Sequence, residues 1–128
     1  MKSIQHQYST KALGCIHEVQ QLSKKEQQQY GSLCHRVPSM IMLNGLRLTV
    51  AFLSVKKGMR QHFLKDMGLA LGIEIEVRKG KDTVPERMDD YRLLTSQVLA
   101  ASVWFKRYAE AILGVTQADA DGQLEEQS

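Results

Sequence analysis

The chain has 128 residues and a formal net charge of +3, long enough for one domain with a core of its own. No apolar run approaches the roughly 20 residues that span a bilayer, which argues against a helical membrane span. The opening Met1-Lys2-Ser3-Ile4-Gln5-His6-Gln7 lacks the apolar centre of an export signal, so a cytoplasmic protein is expected. The charge is unevenly spread. Residues 1–60 hold nine Lys/Arg and two acids, residues 61–118 hold eight of each, and residues 119–128 hold four acids and no base. A basic half with an acidic tail suggests an anionic partner, against the bland alternative of a solvated basic face.

In chain order, Ile4, Tyr8, Ala12, Cys15, Val19 and Leu22 recur every three or four residues. That spacing predicts a long amphipathic helix over about 2–26. Tyr30, Leu33 and Cys34 extend the helical pattern over 24–36, with a break near Ser23 to Lys25. Cys15 and Cys34 have no metal-ligand spacing and fall at apolar positions, which predicts two reduced core thiols; a disulfide is the lesser alternative. Val37-Pro38 predicts a helix boundary, because the residue before proline avoids helical geometry.

The stretch Val37–Lys57 is the expected centre of the fold. Its proline suits a helix's first turn and its lysines suit a helix's end, giving a helix at about 39–57. Projected at about 100° per residue, Leu43, Leu46, Val50 and Leu53 form one apolar arc, and Ile41, Leu48, Phe52 and Val55 a second. A helix apolar on two sides is buried between partners.

Gly58 marks a stop, and Phe63, Leu64, Met67 and Leu71 predict a shorter helix over Met59–Leu71. Leu71, Ile73, Ile75 and Val77 then alternate with Gly72, Glu74, Glu76 and Arg78. Such alternation predicts an extended segment over 72–82, read as a loop, with half a small hairpin or an edge pairing as alternatives. Lys79-Gly80-Lys81-Asp82 reads as a turn. Pro85 opens the last helix, about 85–113, with the stripe Tyr91, Leu94, Val98, Ala101, Phe105, Tyr108 and Ile112. Gly114 ends it, and the acidic 115–128 is expected to be disordered. The expected architecture is all-α: a single-domain bundle, 1–114, of about five helices around the central one.

Chemistry is sparse. His6, His17, His35 and His62 form no metalloprotease motif and pair with no cysteine couple. His62 and Asp66 are four apart, but two ligands do not make a site, and an exposed surface pair is the expected reading. Cys34 and His35 are adjacent on a helix and cannot face each other as nucleophile and base. There is no glycine-rich phosphate loop and no G-x-S-x-G turn. No enzyme activity, metal or cofactor is expected. The remaining candidates are basic: Lys56, Lys57 and Arg60; Arg92, Lys106 and Arg107; Lys24, Lys25 and Arg36. Such groups hold phosphates without reading sequence. Trp104 and Tyr108 are candidates for base stacking, with a helix contact or subunit interface for Trp104 and a core position for Tyr108 as the plainer readings.

Two segments carry a resemblance. Val37-Pro38-Ser39-Met40-Ile41, Asn44-Gly45-Leu46 and Ala51-Phe52-Leu53-Ser54-Val55-Lys56 resemble the P-x-x-I-x-x-N-G-L-x-x-x-x-A-F-L-x-x-K core of the small helical subunit of type III-B CRISPR effector (Cmr RNA-silencing) complexes. Tyr91-Arg92, Thr95 and Trp104-Phe105-Lys106-Arg107-Tyr108-Ala109-Glu110-Ala111 look like that family's C-terminal helix, Y-R…T…W-L-K-R-F-A-E-A. The resemblance covers about 4–113. Gln97, where relatives often carry a glutamate, the 72–82 segment and the acidic tail depart from it.

The resemblance implies a non-catalytic subunit acting in antiviral defence. It implies partners in further copies of itself, in the backbone subunit, and in guide RNA and target RNA. Copies would stack into a minor filament beside the backbone, lining the guide–target groove. It implies no membrane and no small-molecule substrate. Motif matching places Lys56, Arg92, Lys106 and Arg107 on the RNA-facing surface, and Lys57 joins them from the basic cluster. A helical adaptor binding an acidic partner without RNA is the alternative, and a small enzyme the remote one.

Overall fold

A serine and a glutamate begin the helix that the others pack on. Ser23 Oγ accepts the Glu26 amide at 3.1 Å, and Glu26 Oε1 accepts the Ser23 amide at 3.3 Å. This capping box satisfies two otherwise unpaired donors and fixes the turn between the first two helices. The computed structural model describes residues 3–75, 77–78 and 81–127. In order they form α1 (Ile4–Val19), α2 (Lys24–Asn44), α3 (Leu46–Val55), α4 (Met59–Leu71), β1 (Val77–Arg78), β2 (Lys81–Asp82), α5 (Met88–Tyr108), a π-helical turn (Ala109–Leu113) and α6 (Gln117–Gln127). The fold is the expected all-α bundle. No helix among the described residues is long and apolar enough to cross a membrane.

The centre lies earlier than 39–57. Residues 30–35 of α2 are all buried, so every side of the helix is covered at that level by α1, α4, α5 and α6. Pro38 does not open a helix; it sits inside α2. It costs one backbone hydrogen bond, to the Cys34 carbonyl, while Val37 and Ile41 on either side are buried and hold the helix straight through. The break comes instead at Gly45, with φ 87° and ψ 163°, a conformation open to glycine almost alone. The expected single helix is therefore two, α2 and α3, which double back on each other.

Only one of the two apolar arcs is largely covered: Leu46, Val50 and Leu53 are buried, as is Ile41 from the other arc. Leu43, Leu48 and Val55 are exposed, Leu43 at 83% and Val55 at 75%. Tyr91 locks the break. Its hydroxyl accepts the Arg47 amide at 3.2 Å, and its ring lies under the Arg47 guanidinium.

The α5 stripe is buried at Leu94, Val98, Ala101 and Phe105 and partly buried at Tyr91, Tyr108 and Ile112. Tyr30, Phe63 and Phe105 meet edge to face, each neighbouring pair 5.6 Å apart, and tie α2, α4 and α5 through the core. The α4 boundaries match those expected from sequence. Pro85 precedes α5 as a loop residue, its carbonyl held by Arg47 at 2.9 Å.

The 72–82 segment takes the smaller alternative, a two-stranded antiparallel hairpin pairing Val77 with Asp82 and Arg78 with Lys81. The turn expected at 79–82 lies partly outside the described residues.

Beyond Gly114 (φ 70°) the chain differs from the expected disorder. Thr116 Oγ1 accepts the Asp119 amide at 3.2 Å and Asp119 accepts the Thr116 amide at 2.9 Å, a second capping box that starts α6. Val115 and Ala120 are buried, and Val115 is seated against Gly31 of α2, where a Cβ would lie 2.6 Å from it.

Candidate nucleic-acid interface

Lys56 leaves the α3 helix in extended geometry, and Gly58 at φ 103° starts α4 two residues later. The turn between them sets Lys56 and Lys57 on one wall of a groove of about 420 Å³. The facing wall is α2, which supplies Gln29, Leu33 and Arg36 at helical spacing; the first turn of α4 supplies Met59 and Arg60. Lys56 and Lys57 are exposed, while Arg36 and Arg60 are half-buried. Both arginines address the Phe52 ring of α3. The Arg60 guanidinium carbon lies 3.8 Å from its centroid and that of Arg36 5.9 Å. Among the described residues no carboxylate lines the groove. Burial, with the adjacent Arg60 charge, pulls the Arg36 guanidinium below its ordinary range.

The other basic candidates lie elsewhere. Arg92, Lys106 and Arg107 are exposed on α5, and the first is separated from the other two by about 21 Å of helix. Arg107 covers the Trp104 ring at 4.9 Å. Trp104 donates its indole N–H to Gln5 at 2.9 Å, and the Tyr108 hydroxyl meets Ser9 at 2.6 Å. Both aromatics therefore tie α5 to α1, as their plainer readings have it. Lys56 and Lys57 are thus brought together with Arg36 and Arg60, not with the α5 cations. The motifs mark neither arginine as facing RNA. Arg60 has a signal in the sequence, since it lies beside the lysine pair. Arg36 groups there with Lys24 and Lys25 instead, because only the doubling back of α3 brings Phe52 to it.

A larger cleft, about 620 Å³, opens beside α4 and includes Glu18, His62, Lys65, Asp66 and Glu74. His62 and Asp66 do pair, at 3.3 Å, but not on the surface: Asp66 is 3% exposed. Its carboxylate accepts the Tyr30 hydroxyl at 2.7 Å. Burial raises the Asp66 pKa, against the Tyr30 hydrogen bond and the His62 charge. The same surroundings push the Cys15 thiol up to about 12, by burial first and then by the Asp66 charge. Burial also raises Cys34 and Tyr30. Both cysteines are free and buried, and neither is an activated thiol. His35 Nε2 meets the Val115 carbonyl at 2.7 Å, which anchors the link into α6 and not Cys34. Among the described residues no three His, Cys, Asp or Glu side chains are grouped to hold a metal.

Comparison with known proteins bears on these surfaces. Residues 4–112 match the family model described as CRISPR-associated protein (Cas_Cmr5). Among solved structures, the fold is similar to the crystal structure of a CRISPR-associated Cmr5 family protein from Thermus thermophilus. The TM-score is 0.74 at 25% sequence identity, over 88% of this chain and 98% of that one. Comparison with curated proteins gives no match. The family match, spanning both sequence motifs and nearly the whole bundle, leads to one conclusion: the chain belongs to the Cmr5 family, the small subunit of type III-B CRISPR Cmr complexes.

Proposed function

We propose that this subunit is a non-catalytic structural element that stacks into a minor filament and lines the groove for guide RNA and target RNA. The observation that carries the reading is the groove that holds Lys56 and Lys57 with Arg36 and Arg60 and, among the described residues, no carboxylate. Pairing with the guide selects the target, so the protein needs to hold only the backbone, for which such cations suffice. Arg92, Lys106 and Arg107 extend the basic surface along α5 toward RNA or a neighbouring subunit. The exposed Met42, Leu43, Leu48 and Val55 support contacts with protein neighbours, the backbone subunit and further copies among them.

The test is target-RNA binding by the assembled complex across a salt series. Phosphate contacts make affinity fall linearly on a log–log plot, and each lost contact flattens the slope. Replacing Lys56 and Lys57 by glutamate, or Lys106 and Arg107 by glutamate, is expected to weaken RNA binding while the subunit stays helical and incorporated. RNA binding unchanged in both double variants would leave the adaptor reading, in which the basic surface meets an acidic protein.

A further inference from the structure

The groove between α2 and the α3–α4 turn is built differently from the other basic surfaces of the molecule. Two guanidinium groups share one aromatic ring, and like charges so placed repel. Among the described residues no carboxylate pairs with Arg36, Arg60, Lys56 or Lys57. We propose that this groove is a discrete phosphate site, in which Arg36 and Arg60 clamp one RNA backbone phosphate and Lys56 and Lys57 close its open side. The inference rests on the RNA-lining role proposed above and adds to it the ligands and their geometry.

Three features argue for a formed site over diffuse attraction. First, the arginines are pre-positioned. Arg36 rises from the middle of α2, Arg60 from the first turn of α4, and Phe52 supplies a platform from α3. Guanidinium groups ordered before binding lose less entropy on gripping a phosphate, and their planar fork matches its oxygens. Second, a phosphate between them offsets the repulsion that the fold otherwise bears. Third, α4 begins at this groove with Gly58 and no side-chain cap. The amides of its first turn have no partner within the helix, and its dipole adds positive potential at the same place. Arg107 makes a comparable ring contact with Trp104 on α5, but that pair lies outside the groove. A contact to a phosphate carries no sequence information, so the site is indifferent to sequence.

The test uses the full chain, titrated with inorganic phosphate against a chloride control at matched ionic strength and followed by NMR. Saturable shifts are expected at the Arg36 and Arg60 side-chain N–H groups and at the Lys57 to Arg60 amides. Arg36→Gln and Arg60→Gln should each abolish saturation. Arg60→Lys, which keeps the charge but loses the fork, should weaken binding several-fold. Lys11→Gln, an exposed base on α1 outside the groove, should leave phosphate saturation unchanged. Shifts that rise without saturating, and equally at Lys106 and Arg107, overturn the site.

A second arm measures target RNA with the assembled complex, where Arg60→Gln should flatten the salt slope by about one. Saturable phosphate with unchanged RNA binding overturns the RNA assignment. Unsaturable phosphate, with RNA binding lost through Lys106 and Arg107, overturns the groove and leaves the RNA-lining role standing.

Discussion

Helix α4 carries two ionisable clusters six residues apart, and they have opposite fates. Arg60, on its first turn, faces a groove with three other cations and no acid among the described residues. Asp66, further along, is buried and answered by Tyr30, His62 and Cys15. The first cluster meets no carboxylate among the described residues, so its charge is available to a partner. The second is consumed by the fold: its hydrogen bond to Tyr30 joins α2 to α4. Exposure and internal satisfaction, not the residue types, separate a binding surface from a structural network.

The contrast can be broken most forcefully at Asp66. Asp66→Ala strips the buried Tyr30 hydroxyl of its acceptor, at a cost of about 1–3 kcal/mol for that group alone. A thermal melt should show a large loss, whereas Arg60→Gln should stay within about 0.5 kcal/mol of the parent. Equal losses would erase the distinction between the two clusters. Next is Gly45→Ala, which forces a side chain to φ 87° beside the Tyr91 hydroxyl; about 1–3 kcal/mol of strain is expected in the same melts.

A smaller effect follows from the raised Asp66 pKa. Between the ordinary 3.8 and its elevated folded value, the folded state binds more protons than the unfolded state. Stability should therefore fall as pH rises through that window, and Asp66→Asn should flatten this part of the profile. Asp119 has the opposite sign and the least weight. Its hydrogen bonds to Thr116 hold its pKa below 3.8, so its contribution is present above that value and is lost as pH falls through the folded pKa. Hydrogen exchange in α6 should report this loss, and Thr116→Ala should mimic it at neutral pH.

Some of this was legible beforehand. The α4 boundaries and the stripe Leu94, Val98, Ala101, Phe105 followed from spacing, because a regular apolar period has one helical solution. The α6 start was legible too, in Thr116-x-x-Asp119, but the acidity of the segment outweighed the capping signal. Asp66 misled for a different reason: an i, i+4 pair looks the same on a surface and against a core. Pro38 misled because its usual place at a helix start was stronger as a rule than the burial of Val37 and Ile41 on either side.

The sequence by itself determined the all-α class, the α4 helix and the α5 stripe, the reduced buried thiols and, through Asn44-Gly45-Leu46 and the Trp104–Ala111 stretch, the family. Each of these depends on residues close together along the chain, where spacing and local geometry suffice. Tertiary structure alone decided that Leu43, Leu48 and Val55 stay open, that Asp66 is buried, and that Arg36 meets Arg60 over Phe52. A periodic stripe specifies a face but not what covers it; that depends on how the helices fold back on one another.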